Sequence, residues 1–222
     1  FLVNDGVTFA LSDVAIDGTG YNVWQALRSH GNTTVTNVDF SNIAGSASGS
    51  PYRGIAIEQF GGVVAGGAGS DTHGGGGLSA GHLTVTGSTF SNIGRIGVLI
   101  KGTQATSDIT GNTFTGKGTG DFLDYGIEVG ASGQATITGN TISGNRGVAA
   151  SDGSGSAGIL VTSYYGGASS ATIENNVITD NSVGVHIGYD GSDVSNVTAE
   201  DNDLSGNDTG VALTANTASA DF

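Results

Sequence analysis

The sequence has no cysteine, no methionine, a single proline (Pro51) and only six lysine or arginine residues. Without cysteine, no disulfide can stabilise the fold and no Cys/His metal cluster can form. The six basic residues stand against 20 acidic ones, which gives a net charge of −14. Nucleic acids and anionic membrane surfaces are therefore not expected as partners, because both bind basic patches. No apolar run approaches 18 residues, so no membrane insertion is predicted.

The chain is instead rich in glycine, with 41 residues, and contains many Asn, Ser and Thr residues. This composition opposes helix formation, whereas Val, Ile and Thr at alternating positions favour strands. We therefore predict an all-β protein that forms a single domain over residues 1–222.

An internal repeat runs through the chain, and its clearest copy spans Ala135 to Asn145. Each copy has an apolar residue, four residues rich in Asn, Gly, Asp, Ser and Thr, and a second apolar residue. A short apolar phrase that begins with glycine, such as Gly158–Val161, comes soon after each copy. The second apolar residues of the seven copies are Ile16, Phe40, Phe90, Phe114, Ile142, Ile178 and Leu204. Their shortest spacing is 24 residues, which indicates a solenoid.

A step of this length fits one coil of a parallel β-solenoid, with two or three short strands and bends between them. Strands of successive coils pair at a distance of about 4.8 Å. We therefore expect the seven second apolar residues to stack in an interior column. Glycine and asparagine belong at the bends, where the backbone adopts positive φ and an Asn amide can bond the Asn of the next coil. Parallel crossovers are nearly always right-handed, so a right-handed coil is predicted.

The pattern of Ile137–Asn145 and then Gly158–Val161 resembles the right-handed parallel β-helix repeat of the pectin-lyase-like superfamily. That superfamily includes pectate lyases, mannuronan C5-epimerases, phage tailspikes and many surface proteins. The resemblance covers the chain from about Leu11 to Leu213 and implies a right-handed parallel β-helix of about seven coils. It says little about function, because the fold carries both enzymes and inert rods.

Two steps between copies exceed one coil and mark insertions. Between Phe40 and Phe90 the surplus is about a coil, and we assign most of it to a Gly-rich inserted loop at about residues 61–81. Such a sequence cannot bury a core of its own. The second surplus precedes Ile178, around residues 149–155 or 164–167. Loops on one side of a solenoid commonly form its binding face.

Charged residues near the glycine phrases form the candidate catalytic site. Aligning the phrases by their glycines puts Glu58 and Lys101 at equivalent positions on successive coils, and Arg95 one coil from Asp124. Lyases and epimerases of the superfamily abstract the proton next to a uronate carboxylate, which requires a base and a group that neutralises that carboxylate. If the chain is an enzyme, the expected catalytic residues are Arg53, Arg95, Lys101, Tyr125 and Glu128. The alternative is a set of cross-coil ion pairs that keeps this face soluble and in register.

Three tyrosines and one histidine are candidates for carbohydrate binding: Tyr164, Tyr165, Tyr189 and His186. The tyrosine rings can stack on sugar rings. His186 is predicted to point outward, with Leu160 and Ala212 as its neighbours on adjacent coils. The alternative for all four is an ordinary surface position.

No resident cofactor is predicted, and calcium binding is kept as a hypothesis. Residues 66–72 match the first seven positions of the calcium-binding repeat Gly-Gly-x-Gly-x-Asp-x, with Asp71 as the candidate ligand. The eighth position is His73 instead of a large apolar residue, and the chain has no second copy of the motif after it. The stretch 71–74 lacks the Pro and Glu of the epimerases' Asp-Pro-His-Glu motif, so the epimerase residues are not transferred. No sequence motif of a nucleophilic triad is present.

Two functions remain open, with a carbohydrate-binding module without turnover as a third. One is a non-enzymatic structural or adhesive segment of a secreted or cell-surface bacterial protein. The other is a polysaccharide lyase or uronate C5-epimerase that acts on an acidic polysaccharide. Neither end offers an amphipathic helix, and the chain begins at Phe1 without an initiator Met. We therefore expect its open ends to contact flanking domains of a longer chain or further copies of itself.

Overall fold

The computed structural model describes residues 1–45, 54–62 and 79–214, and the backbone of residues 219–221. Within these residues the chain forms 22 β-strands and no helix. None of the described segments is therefore a helix with the length and apolar character needed to cross a bilayer.

Successive strands wind into coils, and each of the first six coils gives one strand to each of three sheets. The strands of coils one to four are β1 Leu2–Val3, β2 Thr8–Ser12, β3 Ala15–Asp17, β4 Gln25–Ser29, β5 Asn32–Thr36, β6 Asp39–Ser41, β7 Ile55–Phe60, β8 Gly81–Thr86, β9 Thr89–Ser91, β10 Ile96–Lys101, β11 Ala105–Thr110 and β12 Thr113–Gly118. The strands of the later coils are β13 Tyr125–Gly130, β14 Gln134–Thr138, β15 Thr141–Asn145, β16 Ala157–Val161, β17 Ser170–Glu174, β18 Val177–Thr179, β19 Val183–Ile187, β20 Asn196–Glu200, β21 Thr209–Leu213 and β22 Ser219–Asp221.

The three sheets run along the solenoid side by side, and all their strand pairs are parallel. We call them sheet A (β1, β4, β7, β10, β13, β16, β19 and β21), sheet B (β2, β5, β8, β11, β14, β17, β20 and β22) and sheet C (β3, β6, β9, β12, β15 and β18). Coil seven continues sheet C only through a bridge between Val177 and Asp203, and β21 and β22 belong to a partial eighth coil. The predicted all-β parallel solenoid of about seven coils is confirmed.

The interior column is also confirmed for its first six members, Ile16 to Ile178, which are successive register partners, while Leu204 packs against the same core. The rings of Phe40, Phe90 and Phe114 stack nearly parallel, with centroids 5.1 Å and 4.4 Å apart. All three side chains are buried. Since Phe40 pairs directly with Phe90, the long step between them is one coil that carries an insertion.

Sheet B shows why the strands form where they do. Along β5 and β20 buried residues alternate with exposed ones, which is the pattern of a strand with one face on the core and one face in water. Its interior column contains Val35, Val85, Ile109 and Ile137, all with 0% exposure. These side chains join the phenylalanine column in one continuous core.

The bends between sheets B and C are held by a ladder of asparagines. The backbone N–H of Asn112 donates to Oδ1 of Asn140, and the same contact links Asn140 to Asn176 and Asn176 to Asn202, at 2.9, 2.9 and 3.0 Å. The side-chain amides repeat the pattern, at 3.0, 2.9 and 2.9 Å. Each carboxamide satisfies buried groups of its own coil and of adjacent coils, which suits Asn to this position, and Ser88 takes the same place one coil before Asn112.

The insertions lie between strands and leave the register intact. Of the predicted loop at residues 61–81, residues 63–78 lie outside the described part, while Gly81 already belongs to β8. The second surplus occupies both of the predicted places, because long connections come after β15 at residues 146–156 and after β16 at residues 162–169. The first of these is closed by an antiparallel bridge between Val148 and Gly155.

Candidate functional site: a buried polar cluster on sheet A

The outer face of sheet A differs from that of sheet B, because it is covered. Strands β7, β10, β13 and β16 are buried along their whole length. An apolar layer that includes Ile96, Leu99, Leu123 and Leu160 packs outside the sheet, separate from the interior core. Any charged side chain on this face is therefore removed from water.

The register on this face corrects one prediction. Glu58 pairs with Leu99, and Lys101 pairs with Phe60, so Glu58 and Lys101 are not at equivalent positions. The alignment by glycines was wrong because Ala56, not Gly54, is the register equivalent of Gly97. The two charged groups nevertheless meet diagonally, with Lys101 Nζ 3.9 Å from Glu58 Oε1.

We define the polar cluster as Glu58, Arg95, Lys101, Tyr125, Glu128 and Tyr165. Four members are almost fully buried, with exposures of 3% for Glu58, 4% for Lys101, 7% for Tyr125 and 2% for Glu128. The structure therefore brings together Arg95, Lys101, Tyr125 and Glu128 of the predicted catalytic set. The fifth predicted residue, Arg53, lies outside the described residues, as does the calcium candidate Asp71.

Lys101 lies between aromatic rings and a carboxylate. Its Nζ is 4.3 Å from the ring centroid of Tyr165 and 5.5 Å from that of Phe60. The carboxylate of Glu58 also accepts a hydrogen bond from Gln25 Nε2. Cation–π contacts and the ion pair together compensate for taking the ammonium group out of water.

Glu128 is the acidic centre of the cluster. Burial raises the pKa of its carboxyl, and the positive charges of Arg95 and Lys101 together with a hydrogen bond from Tyr165 offset part of that rise. Its Oε2 atom is buried and has no hydrogen-bond partner in the described structure. A buried carboxyl group with a raised pKa is suited to proton transfer.

The two tyrosines remain protonated in this setting. Burial raises the pKa of Tyr125, whose ring centroid lies 5.1 Å from the guanidinium carbon of Arg95. The pKa of Tyr165 is raised first by the charge of Glu128 and then by burial. Both hydroxyls are therefore available as proton donors.

Two further basic residues adjoin the cluster, and neither was predicted. Arg28 is the register partner of Glu58 and lies over the Phe60 ring, 5.1 Å from its centroid. Lys117 donates from Nζ to Gly94 O at 2.7 Å, and burial lowers its pKa. Arg28 was missed because the phrase of its coil has Ala26 where the later phrases have glycine. Lys117 was missed because it belongs to β12 of sheet C, and it adjoins the cluster through its side chain, which reaches Gly94 before β10.

The aromatic candidates also come together, beside the cluster. The ring of Tyr164 lies 5.1 Å from that of Tyr165 and 4.4 Å from that of Tyr189. Tyr164 and Tyr189 are exposed, at 53% and 47%. His186 has the predicted neighbours Leu160 and Ala212, but it is half-buried and hydrogen-bonds Thr214 at 2.7 Å. It is two coils from Glu128, so it does not join the cluster.

The turns that carry these tyrosines are fixed by Asp193. Its Oδ2 accepts hydrogen bonds from Ser163 N, Tyr189 N and Thr162 Oγ1, at 2.7, 3.0 and 2.9 Å. The turns after β16 and β19 are thus tied to each other. No group of three or more His, Cys, Asp or Glu side chains suited to a metal ion occurs in the residues that the structure describes.

Comparison with known proteins supports the fold. A family model described as "Right handed beta helix region" matches residues 25–222. Its handedness agrees with the coil that the sequence predicts. No curated protein and no solved structure shows a match to the chain.

Proposed function

The chain belongs to the right-handed β-helix family, and from that premise we propose that it acts on an acidic polysaccharide, as a lyase or a uronate C5-epimerase. One observation carries the proposal. Four of the six basic residues of a chain with net charge −14, namely Arg28, Arg95, Lys101 and Lys117, lie on or beside the outer face of sheet A. Positive charge gathered in one place on an acidic protein favours an anionic ligand.

The composition of the polar cluster supports proton abstraction next to a carboxylate. Arg95 and Lys101 can neutralise a uronate carboxylate, and Glu128 can take the proton from the adjacent carbon. A tyrosine hydroxyl, Tyr125 or Tyr165, then donates a proton. In a lyase that proton goes to the glycosidic oxygen as the C–O bond breaks and a C=C bond forms. In an epimerase it goes to the opposite face of the same carbon.

Access to the cluster is from the side of the tyrosines. Arg95 and Tyr165 are half-buried, whereas Tyr164 and Tyr189 are exposed next to them. Aromatic rings of this kind stack on sugar rings. We therefore infer that the sugar chain binds at Tyr164 and Tyr189, and that the Tyr165 ring moves off Lys101 when a uronate enters.

The test is a screen of acidic polysaccharides, including alginate, polygalacturonate and glycosaminoglycans. Lyase activity is followed by the ultraviolet absorbance of the unsaturated uronate, and epimerase activity by deuterium incorporation from D₂O. Glu128→Gln is expected to lower turnover about 100-fold or more, because it removes the base. The matched control is Glu200→Gln, an exposed carboxylate on sheet B, which is expected to retain activity. Absence of both turnover and deuterium exchange on every polysaccharide would refute the proposal, and binding without turnover would identify a carbohydrate-binding module.

A structural or adhesive role is the second candidate, and charge balance in the polar cluster favours it. Four positive residues, Arg28, Arg95, Lys101 and Lys117, adjoin three negative ones, Glu58, Asp124 and Glu128, so nearly all of this charge is balanced locally. A balanced buried set can serve only to hold the covering turns in place. Both candidates place the protein outside the cell or on the surface of a bacterium.

The structural role is tested by light scattering over a dilution series, with and without calcium. Concentration-dependent linear assemblies are expected if the solenoid associates end to end. A constant monomer mass would exclude self-association as the way its ends are covered, and a shift with calcium would reopen the metal hypothesis at Asp71.

A further inference from the structure

A second constellation of reactive side chains lies on the exposed face of sheet B. His82 Nδ1 is 2.8 Å from Thr106 Oγ1, and His82 Nε2 is 3.4 Å from Asp108 Oδ2. A hydroxyl, an imidazole and a carboxylate in this order are the elements of a nucleophile–base–acid triad. From this geometry we propose that Thr106, His82 and Asp108 form an esterase site for acyl esters of carbohydrates. The inference does not rest on the function proposed for sheet A.

The register creates this arrangement, and sequence spacing does not show it. Thr106 in β11 is the register partner of His82 in β8, and Asp108 lies two residues further along β11 on the same outward face. The histidine comes just after the long insertion, so only the strand pairing identifies its neighbour. Both strands are fixed from below by the buried side chains of Leu83, Val85 and Ile109.

The contacts of the imidazole assign a role to each nitrogen, because Nδ1 is at hydrogen-bond distance from the Thr106 hydroxyl and Nε2 faces the Asp108 carboxylate at 3.4 Å. A carboxylate at Nε2 favours the tautomer with its proton on that atom. The Nδ1 lone pair then faces the Thr106 hydroxyl and can accept its proton. The His82 and Asp108 side chains are 43% and 55% exposed, so a substrate can reach them.

The surroundings suit a carbohydrate ester. A shallow depression of about 330 Å³ is lined by Thr106, His82 and Asp108 and by further hydroxyl and amide side chains, including Gln134, Thr136 and Ser170. Gln134 is the register partner of Thr106 on the side away from His82. In the proposed reaction its amide donates a hydrogen bond to the oxyanion that forms when Thr106 attacks.

The reaction balances with water as the only co-reactant. Thr106 Oγ attacks the ester carbonyl carbon, and its proton passes to His82 Nδ1. The bond from the carbonyl carbon to the sugar oxygen breaks, and His82 returns the proton to that oxygen, which leaves an acyl-threonine. His82 then deprotonates a water molecule that attacks the same carbon. The carboxylic acid departs and Thr106 regains its proton.

The experiment uses the full chain with 4-nitrophenyl acetate and with acetylated pectin. We expect an acetyl adduct on Thr106 by peptide mapping after an acid quench, together with release of 4-nitrophenol and acetate. Thr106→Val replaces the hydroxyl with a methyl group at nearly constant shape and is expected to abolish the adduct and lower turnover about 100-fold or more. Thr106→Ser is expected to restore both. The matched control is Thr110→Val, an exposed threonine on the same strand that does not line the depression.

Two outcomes would overturn the proposal. One is a turnover rate in Thr106→Val equal to that of the unchanged chain, which would show that His82 alone hydrolyses activated esters. The other is the absence of an adduct and of acetate release in a protein whose circular dichroism and melting temperature show that it is folded.

Discussion

At the scale of single residues, Asp193 shows how a carboxylate is used to organise the surface beside the polar cluster. It is 2% exposed, and its two oxygens accept hydrogen bonds from Thr162, Ser163, Tyr189 and Ser195. Burial alone would raise its pKa, but the hydrogen bonds outweigh burial and hold the pKa below the ordinary value. The folded state thus favours the ionised form. Its stabilising contribution is complete above about pH 4, the pKa in the unfolded chain, and falls as the pH drops through the folded-state value.

We predict that Asp193→Ala lowers the free energy of unfolding by about 2–4 kcal/mol at pH 7, because several donors lose their charged acceptor. Urea denaturation monitored by tyrosine fluorescence measures the change. The difference from the unchanged chain should begin to shrink below about pH 4 and disappear as the pH falls through the lowered folded-state pKa, where the carboxylate becomes protonated. Asp190→Ala is the control, since Asp190 is exposed and its side chain accepts hydrogen bonds from Ser192 at the surface; its effect should be much smaller than that of Asp193→Ala. A pH-independent difference would contradict the role assigned to the charge.

At the scale of elements, the asparagine ladder fixes the bends between sheets B and C. Asn140 donates from Nδ2 to Ile109 O at 2.9 Å and to Asn176 Oδ1 at 2.9 Å, while its own Oδ1 accepts from Asn112. Each such residue therefore connects three coils. Removal of one carboxamide leaves polar groups of both neighbouring coils buried and unsatisfied.

Asn140→Ala is expected to destabilise the protein by about 2–5 kcal/mol, since more than one buried polar group loses its partner at about 1–3 kcal/mol each. Thermal and urea unfolding measure the loss. Gln134→Ala, on the same coil but exposed, is the control and should change stability by less than about 1 kcal/mol. Equal effects for the two variants would mean that the ladder contributes little.

Elements that repeat could be predicted from the sequence. Register and burial could not be predicted where the repeat changes. Phe40, Phe90 and Phe114 were placed correctly because each stands at the same position of its copy. On sheet A the equivalents of Gly97 in the early coils are Ala26 and Ala56, so an alignment by glycines shifts the register by two residues there. The charges of the polar cluster could be identified, but their burial could not, because covering turns have no periodicity. The contact of His82 with Thr106 could not be predicted either, because the insertion before His82 obscures which residue of the next coil it pairs with.

At the scale of the whole molecule, the distribution of charge is uneven. Acidic residues are spread over the solenoid, while four of the six basic ones are gathered at sheet A. Arg146 is an exception, because it pairs with Asp180 and Asp208 on the outside at 3.1 and 2.7 Å. A net charge of −14 destabilises the compact state through self-repulsion.

We therefore expect the melting temperature to rise by a few degrees when NaCl is increased from about 10 mM to about 300 mM, because salt screens this repulsion. Arg146→Gln adds one unit of negative charge and removes an attraction that salt weakens. Its melting temperature should consequently depend more steeply on salt. Differential scanning calorimetry of both proteins measures these melting temperatures. A melting temperature that falls as salt is added would show that attractive ion pairs dominate.

The direct pairing of Phe40 with Phe90 has a consequence for how such a protein changes over generations. The connections from β6 to β7 and from β7 to β8 can lengthen or shorten beyond their anchoring residues, such as the buried Ile43, without any strand losing its partner. Changes of length or sequence in these connections have little effect on folding, so selection for a stable fold does not remove them. A lineage can therefore acquire new surface properties at an old insertion point while the stacked aromatic rings beneath it are inherited unaltered.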